Sequence, residues 1–189
     1  MPFNAGNLFH LEFFLRLIDE RLSELYLKIE KTKDPESEGL YDLSEYLIGY
    51  GFVAVQRYMA STYPLYAIGK KESFGFGAKL KNDLTLMELI DAAANYWKHE
   101  PEWPFQVSLG QADNFGMAEI SINRAGEDFS RLEKLTYDRI TKITPYSDYT
   151  LSNVLAEILK DISTHTELFF RALLPFIQEW EVQLKMRSK

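Results

Sequence analysis

The sequence predicts an all-α fold, an antiparallel bundle of five or six helices, and three observations carry that expectation. Apolar residues recur at three- and four-residue steps over most of the chain, helix start and stop signals punctuate those runs, and the connections are short with no internal repeat. Residues 101–126 lack a sustained helical period. With 189 residues, 46% hydrophobic and 14% aromatic, the chain can bury one sizeable core. A single domain over 1–189 is therefore expected, with irregular segments at 64–83 and 101–126.

Leu11, Phe14, Leu15, Ile18, Leu22, Leu25 and Ile29 define a first amphipathic helix over 8–31, ended by "TKDPESEG". A second helix is expected from Asp42, with Glu45 in capping-box spacing, up to the break at Pro64. Inside it, Gly49 and Gly51 each cost about 1 kcal/mol relative to Ala, which points to a close helix crossing there. Residues 64–83 are Gly-rich and carry Lys70, Lys71, Lys79 and Lys81 against only Glu72 and Asp83. "GFGAK" is no phosphate-wrapping Walker loop. Lysines interleaved with Phe74 and Phe76 nevertheless suit a polyanion held by charge and stacking, the alternative being a solvated loop.

The third helix has the clearest limits. Thr85 and Glu88 form a capping box and Leu84 with Leu89 a hydrophobic staple, so it begins at Leu86; Pro101 ends it with His99 in the last turn. At about 100° per residue, Leu86, Leu89, Ile90, Ala93, Ala94 and Trp97 share one face, while Glu88, Asp91, Asn95 and His99 share the other. The polar set is thus expected to face solvent, a ligand or another subunit, with Trp97 and Trp103 packing inward. Beyond it, "FQVSL" and "MAEISI" alternate as a short hairpin or an extended arm would. Helical spacing returns over 127–141, anchored by Phe129, Leu132, Leu135 and Ile140. It resumes from Leu151 through Val154, Ile158, Ile162, His165, Phe169, Ala172, Phe176 and Trp180, with Pro175 kinking it or starting a new helix.

Several function classes fall away. The absence of cysteine excludes disulfides, zinc-thiolate sites and thiol nucleophiles and fits a reducing, cytoplasmic setting. No run approaches the roughly 20 apolar residues of a membrane span, and the opening segment, interrupted by Glu12 and Arg16, does not read as a secretory leader. Paired Glu-x-x-His motifs, serine-hydrolase signatures, dinucleotide fingerprints and zincin motifs are all missing, so no metal or cofactor is expected. A net charge of −7 weighs against non-specific nucleic-acid binding, although a local basic patch can overrule it. Among the three histidines, His10 reads as a surface residue and His165 as a buried imidazole near Asp161. His99, at the helix terminus beside Glu100 and Glu102, is expected to suit a general acid or a phosphate ligand, the alternative being a solvated helix terminus.

"NYWKH" on a helix of a small all-α protein resembles the HEPN family, helical bundles of toxin-antitoxin, phage-defence and RNA-processing systems. Asn95 and His99 fall on the polar and histidine positions of that family's motif, while Ala94 stands where the family has arginine. The resemblance implies metal-independent RNA cleavage by the histidine, a phosphate-steadying arginine, and a homodimer with two motifs facing each other. Replacing the arginine with alanine removes a bidentate phosphate clamp, and Lys98 projects away from Asn95 around the helix. The favoured expectation is a non-catalytic RNA-binding or protein-interaction module using Asp91, Lys98, Lys70, Lys71, Lys79 and Lys81, with Asn95 and His99 as the residues of any residual chemistry. Two alternatives stand beside it: a metal-independent endoribonuclease in which Arg57 supplies the missing cation, and a helical interaction protein with no nucleic-acid role.

Overall fold

The computed structural model describes residues 8–99, 105–112, 118–124, 131–162 and 169–188. The fold is an all-α helical bundle with a β-hairpin inserted in it. Its helices are α1 (Leu8–Lys31), α2 (Leu40–Thr62), α3 (Lys70–Phe74), α4 (Leu86–His99), α5 (Arg131–Thr141), α6 (Thr150–Ile162) and α7 (Leu174–Arg187). Strands β1 (Phe105–Ala112) and β2 (Ala118–Arg124) pair antiparallel, Val107 opposite Ile122 and Leu109 opposite Ile120, with a register shift between Leu109 and Ala112. No helix among the described residues is long and apolar enough to cross a membrane.

Most of the apolar periodicities find their partners, although Phe14 of the α1 stripe is exposed. Leu11, Leu15, Ile18, Leu22 and Leu25 of α1 are buried against α2, whose Ile48, Phe52, Val55 and Met59 face the same core. Trp180, with no exposed surface, donates its indole Nε1–H to the Ser73 carbonyl at 2.7 Å, so the largest core side chain leaves no polar atom unsatisfied. α2 and α4 run antiparallel: Gly49 meets Trp97 near one end and Gln56 meets Asp91 further along. Both central glycines are close approaches to a ring. A Cβ on Gly49 would fall 2.3 Å from the Trp97 ring, and one on Gly51 2.3 Å from Phe170. Pro175 lies in the first turn of α7, where its missing N–H costs nothing, so it starts a helix rather than kinking one.

Two buried carboxylates tie helices distant in sequence. Asp19 accepts the backbone N–H groups of Phe170 (2.8 Å) and Arg171 (3.0 Å) and the Arg171 guanidinium Nε (3.1 Å). Glu45 accepts the N–H of Leu151 (2.5 Å) and Ser152 (2.9 Å) in the first turn of α6. Each thus caps orphan amide donors of another helix or 3₁₀ turn. This corrects the expected capping box at Asp42 and Glu45. α2 starts at Leu40 behind Gly39, whose left-handed φ of 65° makes the turn without a side-chain cap.

Two further expectations change. Residues 64–83 form ordered short turns, a 3₁₀ turn at Tyr63–Tyr66, α3, and another 3₁₀ turn at Lys81–Asp83, with Ile68, Ser73, Phe74 and Leu80 buried. Leu132 and Leu135, expected as core anchors, are about half exposed at 45% and 46%, whereas Ile140 is buried as expected. Phe129, His165 and Trp103 lie outside the described residues.

Candidate functional site

α4 carries most of the predicted site. The Thr85 capping box forms as its spacing implies: Glu88 N–H donates to Thr85 Oγ1 and Thr85 N–H to a Glu88 carboxylate oxygen, both at 3.2 Å. Leu84 and Leu89 are buried beside it, and Ala93 and Ala94 have no exposed surface. Trp97, expected in the core, is half-buried against Gly49.

The opposite face departs from expectation. Asp91 and Asn95 are buried, 4% and 6% exposed, rather than turned to solvent or to a partner. Gln56 of α2 covers them: its Nε2 donates to Asp91 Oδ1 at 2.7 Å and to Asn95 Oδ1 at 2.9 Å. Lys98 closes the arrangement by donating to Gln56 Oε1 at 2.7 Å, so Gln56 links it to Asn95 despite its different direction around the helix. From α3, Lys70 reaches Asp91 at 2.9 Å. From α5, Arg139 bonds Glu88 at 2.9 Å and lies 3.9 Å from Asp91. A buried carboxylate must be paired and hydrogen-bonded, and here cations from two other helices and an amide from a third do so. The polar face of α4 is therefore an inter-helix knot. Burial lowers the Lys98 pKa, Asp91 opposing and the positive charge of Lys70 reinforcing the shift.

His99 sits half-buried in the last turn of α4. Ala94, at the arginine position of the resembled motif, lies inside the core, so a long cation there could not reach the polar face without remodelling. Arg57 does not fill that role, since it lines a shallow pocket with His10, Phe14 and Tyr58 toward α1, whereas its neighbour Gln56 faces α4.

The four lysines of 64–83 separate. Lys70 and Lys71 face an open groove of about 570 Å³ between α3 and α5, joined there by Lys134 and Arg139, with Phe74, Leu132 and Leu135 as its apolar wall. Lys81 instead pairs with Glu157 (2.6 Å) and Asp161 (3.3 Å) of α6, and Lys79 is exposed beside the short backbone bridge to Thr85. Among the described residues, four cations thus line the groove against two carboxylates, Asp91 and Asp138, a local positive balance in a chain of net charge −7.

No family model, curated protein or solved structure matches the chain. The geometry alone carries the functional reading.

Sequence reasoning singles out neither Gln56 nor Arg139. Gln56 carries a signal, a lone amide between Val55 and Met59 on the apolar side of α2. Arg139 carries none, because its partners lie 48 and 51 positions away.

Proposed function

We propose that the chain is a non-catalytic, HEPN-like helical module that binds single-stranded RNA in the groove between α3 and α5, in a defence or toxin-antitoxin type system. One observation carries this reading: the Asp91 carboxylate and the Asn95 amide oxygen are engaged within the chain, while Lys71 and Lys134 stand exposed along a groove with apolar walls. Exposed cations beside apolar side chains suit a flexible polyanion, whose phosphates release counterions and whose bases pack on the wall. The catalytic alternative through His99 has less support, since it would require Asn95 to leave Gln56 and a cation to appear where Ala94 is buried. In the proposed homodimer, the two copies meet at the carboxyl ends of their α4 helices, around His99.

Titration of a labelled single-stranded RNA against the full chain at several salt concentrations tests the proposal. Binding should weaken with salt. Lys71→Gln with Lys134→Gln should lower affinity for every RNA sequence while reducing the salt slope by about 0.7 for each phosphate left without its cation. RNA binding that is absent, or indifferent to both substitutions, overturns it.

A further inference from the structure

A second cleft, of about 610 Å³, opens between α2 and α4 on the far side of Trp97 from the core, and its walls are aromatic. Tyr46 and Tyr50, one turn apart on α2, meet the Trp97 ring edge-to-face with centroids 4.7 and 5.9 Å away. Tyr96 and Tyr146 form a second edge-to-face pair at 5.9 Å, their hydroxyls 3.1 Å apart. Five rings therefore converge from α2, α4 and the α5–α6 connection. Tyr46 and Tyr50 each leave 54% of their surface exposed, so both rings remain accessible at the cleft.

The rim of this cleft is acidic. Asp42 and Asp148 line it and are exposed, while Glu45, also at its edge, has its carboxylate held by the amides of Leu151 and Ser152. Tyr149 next door feels that field: burial first, and then Glu36, Asp42 and Asp148, push its hydroxyl pKa up. Lys98, the cation among the lining residues, has its ammonium on Gln56 at 2.7 Å.

We infer that this cleft binds a quaternary or methylated ammonium group. Aromatic faces attract a cation through the ring quadrupole, and the attraction is largest for a cation that gives up little hydration, which an alkylated ammonium satisfies and a metal ion or bare ammonium does not. Asp42 and Asp148 supply the counter-charge at the mouth. The volume lies in the range of small-ligand sites. The ammonium can arrive as a free small molecule or on a trimethylated lysine, and the two sources share this chemistry.

Calorimetric titration of the full chain with choline, with its neutral isostere 3,3-dimethylbutanol, and with a trimethyl-lysine peptide beside its unmethylated form separates these cases. Choline or the trimethylated peptide should bind at least tenfold more tightly than its uncharged or unmethylated counterpart, and the one that binds identifies the source. Tyr46→Leu with Tyr50→Leu, both at exposed positions, should weaken that binding at least tenfold while leaving the circular dichroism spectrum unchanged. Equal binding of the neutral isostere, no binding of either cation at millimolar concentration, or full affinity in the double variant overturns the inference. RNA binding enters none of the readouts that decide it, so this site and the groove stand or fall separately.

Discussion

Two regions flank α4, and they use polarity in opposite ways. On one side Asp91 and Asn95 are closed over by Gln56, Lys70, Lys98 and Arg139, the Asp91 carboxylate and the Asn95 amide oxygen each matched by a donor from the same chain. On the other, Trp97 and its half-exposed tyrosines line a cleft with the exposed carboxylates of Asp42 and Asp148. The difference teaches that a cluster of chemically versatile side chains is not by itself a site. Saturated polar groups hold helices together; unsaturated surface, basic in the α3–α5 groove and aromatic in the α2–α4 cleft, is what remains for a ligand.

The sharpest way to break this comparison is to open the knot. Asp91→Leu removes one of the two side-chain acceptors of the Gln56 amide and leaves Lys70 and Arg139 without that carboxylate, and should cost about 3 kcal/mol of stability by urea denaturation, the range for a buried pair broken from one side. A loss near zero would mean that the face is solvated. Gly51→Ala should cost about 2 kcal/mol, because the Phe170 ring it meets is fully buried and cannot yield. Gly49→Ala makes an equally close contact with Trp97, but that ring borders open space and can swing outward, so about half that cost is expected, with Trp97 fluorescence shifted toward the exposed range.

A smaller effect concerns pH. Burial pushes the Glu45 carboxyl above its ordinary value, and the bonds from Ser152 and Leu151 only partly offset that. Between the ordinary and the raised value the folded chain holds a proton that the unfolded chain has lost, so the Glu45 contribution to stability falls as pH rises through that window. Stability measured from pH 4 to pH 7 should therefore fall less steeply in Glu45→Gln than in the native chain. Identical slopes would show that this carboxyl titrates normally.

How much of this is legible in the sequence follows from how far each signal reaches. The limits of α1 and α4 match their periodicities and, for α4, a cap whose partners lie three residues apart. Local spacing misplaces the start of α2 because Glu45 sits at capping-box distance yet engages its carboxylate 106 and 107 positions away. Leu132 and Leu135 keep helical rhythm but line a groove, since periodicity reports which residues share a face and not what covers it. The same limit hides the fate of Asp91 and Asn95: a polar stripe reads as solvated until another helix is known to bring an amide and cations to it. The lysines of 64–83 are legible as a group, and tertiary contacts with α5 and α6 divide them.

The central claim, that the polar face of α4 is structural and that RNA is held elsewhere without being cut, is tested most directly by following one labelled RNA with native protein, Asn95→Ala, His99→Ala and the Lys71→Gln/Lys134→Gln variant. The account predicts intact RNA in every sample, binding weakened only in the lysine variant, and a lowered melting temperature in Asn95→Ala. RNA shortened by the native protein and spared by His99→Ala would contradict it.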